Sequence, residues 1–293
     1  MTVNDNRADV RDFLASRRAR ITPEQAGLPS GPRRRVPGLR REEVAVLAGV
    51  SPEWYRRLEK GHIAGVSDEV LDAVARALRL GEEERTYLFD LSRAARPVQR
   101  DRRCRGMEPL PPQVQWMLDA MTMSAAFVSN GRWDVLATNA LGRALYAPML
   151  TSGEARGNLA RYHFLDPQAA RFYDDWTGAA DTIAALLRAE AGRFPCDEAL
   201  RSLIAELSAA TPEFADRWAS HDILLRSRGT KRFRHPAVGM VELAYHSMAL
   251  PTAADASHLL TTYTAEPGSA TEEQLRLLAS WSLPASPQPA DHP

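Results

Sequence analysis

Lysine is nearly absent. Lys60 and Lys231 are the only two among 37 basic residues, and all the others are arginine. Cysteine is scarce as well: Cys104 and Cys196 lie far apart and form neither a disulfide framework nor a metal-binding spacing, as expected of a chain in a reducing cytoplasm. No apolar run approaches the roughly 18–20 residues of a membrane-spanning helix. The charged stretch Met1 to Arg20 has no apolar core of the signal-peptide kind. A membrane or secreted protein is therefore not expected. There is no phosphate-cradling glycine loop, no nucleophile elbow and no His-Glu-x-x-His. The seven histidines are scattered. His235 and His246 could flank adjacent strands, but no cysteine joins them and their spacing matches no usual ligand set. These absences lead to the expectation of no enzyme, no metal and no resident cofactor.

Net charge is also lacking, with 37 basic against 37 acidic residues. The balance is local, however. Residues 1–106 carry 22 Lys and Arg against 16 Asp and Glu, a net of +6, and the remainder carries −6. Such asymmetry points to a module with a charged partner joined to something else. Arginine suits phosphate and guanine recognition, although a GC-rich genome produces the same bias. The length of 293 residues fits about two domains, and 44% hydrophobic residues are enough for real cores.

The N-terminal third reads as short helices. Arg7 to Arg20 places Val10, Phe13 and Leu14 on one face, with Arg17 and Arg18. Ile21 to Gly38 is broken by proline and glycine and carries Arg33, Arg34 and Arg35. Leu39 to Ala48 reads as a helix with Val44, Ala45, Leu47 and Ala48 available for packing, stopped by Gly49 in a left-handed conformation. Ser51-Pro52-Glu53 restarts a helix that runs to Lys60 and ends at Gly61. A fourth helix, capped by Ser67 or Asp68, ends at Gly81, and Glu82 to Arg93 forms a fifth. A basic, proline-rich linker then precedes a helix over Val114 to Met123. Ala125 to Ser129 and Trp133 to Thr138 read as a hairpin around Asn130-Gly131. Helices from Asn139 to about Ser220, three strand-like runs (Ile223 to His235, Val241 to Ala249, Leu259 to Thr264) and a helix over Glu272 to Trp281 complete the chain before a proline-rich tail.

Two short helices joined by a glycine turn form the helix-turn-helix pattern. Leu58 and Tyr55 face inward with Val50, which leaves Glu53, Trp54, Arg57 and, at the edge, Arg56 facing out. The run Arg41 to Gly61, above all its ending Leu58-Glu59-Lys60-Gly61, resembles the XRE-type helix-turn-helix of phage-repressor-like regulators. The resemblance implies that Arg41 holds a phosphate and that the helix from Ser51 to Lys60 reads the groove with Ser51, Glu53, Trp54 and Arg57. Arg57 suits a bidentate contact to guanine or a phosphate contact equally well. Trp54 suits either a groove contact or the bundle surface. Arg33 to Arg35 suit either a basic arm on DNA or a solvated loop. The basic loop from Ile21 to Gly38 departs from the minimal motif.

In the second half, two strands, a helical insertion and three strands give an α+β domain of PAS-like order with an antiparallel sheet. The blocks Trp133 to Asn139, Asn158 to Tyr162, Thr230 to Pro236 and Val238-Gly239 resemble the MmyB-like ligand-binding domain of bacterial regulators. That resemblance implies a sensor with an apolar pocket for a fatty-acid-like ligand, and a homodimer. Trp116, Trp133, Trp176, Trp218 and Trp281, with Phe127, Phe164, Phe172, Phe214 and Phe233, are aromatic candidates for such a pocket or for plain core packing. Arg161, His221, Lys231, Arg232 and His235 are the polar candidates. Each would contact a ligand carboxylate, pair internally with a residue such as Asp134 or Glu242, or face solvent. Asn139 reads as a helix cap.

The whole reads as a multidomain, cytoplasmic, DNA-binding transcription regulator. Its expected parts are a helix-turn-helix domain over 7–95, a linker over 96–112, a ligand-binding domain over 113–281 and a disordered tail over 284–293. The expected partners are double-stranded operator DNA, a small apolar or fatty-acid-like effector and a second copy of the chain, with no membrane. The alternatives are a C-terminal domain that only dimerises or binds a protein, and a cofactor-binding or catalytic domain fused to a DNA-binding head.

Overall fold

Helix α1, Val3–Arg20, buries Val10, Phe13 and Leu14 completely, as their spacing predicts. It belongs to a computed structural model that describes residues 3–29, 36, 38–95, 110–220, 228–250 and 258–282. The chain divides into two compact units. One holds residues 1–106 and 181–225, the other 107–180 and 226–293. In this division residues 181–225 group with the N-terminal helices.

In the first unit, α2 (Arg41–Ala48), α3 (Pro52–Glu59), α4 (Asp68–Ala77) and α5 (Glu82–Ala94) pack with α1 around one core. Helix α2 starts at Arg41 rather than Leu39, because the Leu39 N–H donates to the Arg18 carbonyl at 3.1 Å and its side chain fills the core. Leu47 was expected in the core, but it faces outward beside the more exposed Val46. Gly49 ends α2 at φ 66°, the left-handed turn the sequence predicts. Gly61, at φ 94°, passes so close to α1 that a Cβ there would meet the Arg7 carbonyl oxygen at 2.5 Å. Gly81 does not end α4. That helix stops at Ala77, Arg79 takes the left-handed conformation, and Gly81 is the N-cap of α5.

The second unit opens with α6, Pro112–Asp119, which is shorter than the expected Val114 to Met123. Strands β1 (Ala125–Asn130), β2 (Val135–Thr138), β3 (Arg228–His235), β4 (Gly239–Leu250) and β5 (His258–Thr264) form an antiparallel sheet in the order β2-β1-β5-β4-β3. The β1–β2 connection is not a two-residue Asn-Gly turn. Asn130 accepts from the Trp133 N–H and donates to the Asp134 carbonyl, and Trp133, not a glycine, takes positive φ at 68°. Helices α7 (Ala140–Leu145), α8 (Ala147–Leu150), α9 (Leu159–Leu165) and α10 (Ala169–Phe172) lie between β2 and β3, and α14 (Ala270–Ser282) closes the chain. Leu118 of α6 covers Ala126, Val128 and Leu260 on one sheet face. The other face carries the aromatic core. Trp116 and Trp281, expected among the core aromatics, are exposed.

Between α10 and β3 the insertion continues as α11 (Trp176–Arg193), α12 (Glu198–Ala210) and α13 (Pro212–Ser220). From Asp181 onward these helices belong to the first unit.

Candidate nucleic-acid interface and ligand-binding interior

Helix α3 forms where the sequence places it. Ser51 Oγ accepts from the Trp54 N–H at 3.1 Å, and Pro52 occupies the first turn. Tyr55, Leu58 and Glu59 fall three and four residues apart and share the buried side. Ser51, Glu53, Arg57 and Lys60 face solvent, with Arg56 at the edge. Arg56 is paired with Glu53 at 2.6 Å, so its charge is partly answered within the helix. Trp54 is half-buried and packs against the core, which leaves only part of the ring for a groove. Arg33, Arg34 and Arg35 lie outside the described residues.

The buried Glu59 pairs with Arg41, the residue expected at a phosphate. Its Oε1 accepts from Arg41 Nε at 3.1 Å and from Arg18 Nη2 at 2.9 Å, and Oε2 accepts from Arg18 Nε at 3.0 Å. Arg41 is half-exposed and paired with this internal carboxylate. Burial works against the charge on Arg18, but Glu59 outweighs it and holds the guanidinium pKa above its ordinary value. Arg18 also donates to the Leu39 carbonyl, and the Glu59 carboxylate fastens α3 to α1 and α2. Sequence reasoning missed Glu59. Its signal was a carboxylate on the apolar side of α3, four residues after Tyr55, with arginines within reach.

The insertion adds its own contacts to this unit. Arg188 of α11 is buried. Its guanidinium lies 4.0 Å over the Trp218 ring, within 4.0 Å of Asp9 of α1, and donates to the Trp218 carbonyl. The end of α11 rests on α5: Arg193 Nε is 3.9 Å from Asp90, and a Cβ at Gly192 would meet the Tyr87 ring at 2.5 Å.

The aromatic face of the sheet gathers Phe127, Tyr146, Phe172, Tyr173, Phe233 and Tyr263 in mutual ring contact; Phe172 and Phe233 centroids are 5.1 Å apart. Tyr146 and Tyr263 share a hydrogen bond between hydroxyls at 2.8 Å. Burial drives the pKa of Tyr146, Tyr173 and Tyr263 well above normal and keeps the hydroxyls protonated. Tyr162 is fully buried, and its hydroxyl has no hydrogen-bond partner among the described residues. These tyrosines were not among the sequence candidates. Strand alternation could have signalled only Tyr263, which lies directly opposite Tyr245; Tyr146, Tyr162 and Tyr173 lie in or beside short helices.

Among the candidates, Phe233 sits at the centre of this cluster, with Trp133 and Trp176 packed against it. Trp176 stacks on His163 at 4.8 Å, and its Nε1–H donates to the His163 carbonyl. Lys231, on the same strand face as Phe233, is half-buried, with its ammonium 5.2 Å from the Tyr245 ring centroid. Burial pushes its pKa down to about 8. His235 is buried, with both ring nitrogens hydrogen-bonded within the fold. Nδ1 accepts from the Ala237 N–H, which leaves Nε2–H to donate to the Ala144 carbonyl, and burial lowers its pKa. Arg161 lies half-buried on α9, while Arg232 is exposed and paired with Glu242 at 2.5 Å. His221 lies outside the described residues. Asn139 caps α7 and holds β1, accepting from the Gly142 and Ala126 N–H groups. Asp134 accepts from Asn130, Asn158 and Arg132. Burial opposes its charge, but these bonds hold its pKa below normal. His246 pairs with Arg228 across the strands and His235 with Gly239, so the two are not neighbours. Among the described residues, no group of three His, Cys, Asp or Glu is placed to hold a metal.

Residues 11–88 match the model of a helix-turn-helix domain. Residues 110–278 match that of the MmyB-like transcription regulator ligand binding domain. The chain belongs to this MmyB-like regulator family. Comparison with curated proteins gives no match. The family match covers the sheet, its aromatic face and the insertion together, including helices that group with the DNA-reading unit. The protein is thus a DNA-binding transcription regulator with a ligand-binding domain. No helix among the described residues is long and apolar enough to cross a membrane.

Proposed function

We propose that this MmyB-like regulator binds a specific double-stranded operator as an XRE-type homodimer in the cytoplasm. Its C-terminal domain takes a small amphipathic, fatty-acid-like effector and does no chemistry on it. The observation that carries the DNA half is α3: its inner side is fixed by Tyr55, Leu58 and Glu59, and its outer side offers Arg57 and Lys60 to a major groove that admits one helix. The effector half is carried by Lys231, a half-buried ammonium at the edge of an aromatic interior with no carboxylate among its described pairings. A ligand carboxylate would answer that charge, and the aromatic rings would take an acyl chain.

The effector controls DNA binding only through different affinities for DNA-competent and incompetent states. A second reading has its own observation. Met240 and Met248, at 45% and 47% exposure, place apolar surface on the outer face of β4, which suits a domain that pairs with another chain. Native mass spectrometry of the purified full chain, with and without added fatty acids, separates the two. Bound acid that is lost in Lys231→Met, together with a changed operator affinity, supports the effector. Repeated empty spectra with no thermal shift leave the pairing domain.

A further inference from the structure

The outer side of β4 reads nearly the same in both directions. Val241, Leu243 and Tyr245 lie in the aromatic core, so alternation places Met240, Glu242, Ala244, His246 and Met248 on the opposite face of the sheet. All five are exposed, and the two methionines keep 45% and 47% of their surface in solvent. Helix α6 packs on this face over Ala126 and Val128 of β1 and Leu260 of β5, while the row on β4 stays uncovered among the described residues. On the neighbouring β3, Arg228, Thr230, Arg232 and Arg234 are exposed as well.

Turned end for end, the row matches itself. Methionine stands at each end, the small Ala244 in the middle, and Glu242 and His246 change places. A twofold axis through Ala244 lays this face antiparallel on that of a second copy, as an isologous contact between identical surfaces requires. Met240 then meets the partner's Met248, and Glu242 meets the partner's His246, whose ring N–H donates to a carboxylate in either charge state. In one chain Glu242 and His246 are four strand residues apart, about 13 Å, so only a second chain can bring such a pair together. Strand β3 follows the same symmetry: Arg228 stands opposite His246, Thr230 opposite Ala244 and Arg232 opposite Glu242. The crossing thus brings Arg228 and His246 to a carboxylate already paired with Arg232 at 2.5 Å. The edge of β3 is a poorer route to a dimer. Arg228, Lys231, Arg232 and Arg234 make half of its eight residues cationic, and two such strands side by side would set like charges together.

We propose that two copies of the chain pair through this face, β4 on β4 antiparallel, with Ala244 on the twofold axis and Glu242 and His246 as reciprocal polar contacts. The pairing assigns a surface to the homodimer of the proposed function and rests on that reading; it does not depend on the effector. Sheets packed face to face stand about 10 Å apart. Methionines from both sides fill that space, and an alanine at the axis lets the strands approach.

The test follows dimer dissociation of the full chain by analytical ultracentrifugation over a range of concentrations, with circular dichroism to show that each variant is folded. His246→Glu sets glutamate against glutamate at both symmetric contacts and should weaken the dimer about tenfold or more. Adding Glu242→His restores the pair in reverse order and should recover most of that loss. Met240→Asp places a charge against methionine and should weaken the dimer without rescue by Glu242→His. A dimer that none of these substitutions weakens, or a double variant no tighter than His246→Glu alone, overturns this interface while leaving the homodimer. A wild-type chain that stays monomeric at every concentration overturns both.

Discussion

Glu59 is the residue on which the DNA-reading helix depends most. Two guanidiniums share its carboxylate, so Glu59→Ala leaves the largely buried Arg18 and the half-exposed Arg41 without their counter-ion. The head should lose about 3–5 kcal/mol in urea unfolding. Lys231 behaves in the opposite sense. Below about pH 8 its ammonium is charged in both folded and unfolded chains, and the cost of burial stands in full. From about 8 to its ordinary 10.5 the folded chain has released a proton that the unfolded chain still holds, so stability rises with pH. Lys231→Met should raise the melting midpoint at pH 7 and flatten that rise; an unchanged pH profile contradicts the assignment. Both residues were visible in the sequence, Glu59 within a helix-end motif and Lys231 as one of two lysines. What it did not show was the partner of each, because a partner 18 or 41 residues away leaves no local pattern.

At the scale of elements, local chemistry was legible and closure was not. Ser51 and Pro52 start α3, Gly49 ends α2 and Asn139 starts α7, each from a preference that acts within a few residues. The β1–β2 connection escaped because Asn130 is drawn into a network with Asp134 and Asn158, and those side-chain bonds outweigh the two-residue turn preference. Asp134→Ala should open this corner at neutral pH. Since the carboxylate pKa is depressed in the fold, the wild-type advantage should fade as pH drops through that depressed value, as measured by amide exchange in β1 and β2. The aromatic face was half legible. The sequence candidates included Phe233, but the tyrosines around it come from the α7–α8 junction, the end of α10 and β5, which only the tertiary fold brings together.

At the scale of the molecule, the zero net charge takes on a second meaning. The split into +6 and −6 assumed a cut near residue 106. The compact units add residues 181–225, with four cationic and eight acidic side chains, to the 22 and 16 of the N-terminal stretch, giving 26 against 24. The acidic insertion thus lies in the same unit as the basic head and nearly cancels its charge, while Arg57 and Lys60 stay exposed on α3. The exposed cationic surface of α3 is therefore local rather than part of a bulk positive field. Arg188→Ala, which removes the contacts to Asp9 and Trp218, should destabilise this unit by about 2–3 kcal/mol, read by thermal unfolding. The most direct measurement of the central claim is selection of operators from random double-stranded DNA by full-length protein and by Arg57→Ala. The account predicts a recurrent pair of half-sites about one helical turn apart, roughly 34–36 Å, for the wild type. The variant should lose base preference at one position of each half-site while it keeps its salt-dependent affinity for any duplex. Selection that enriches no motif, or the same motif with the same preference for both proteins, would contradict it.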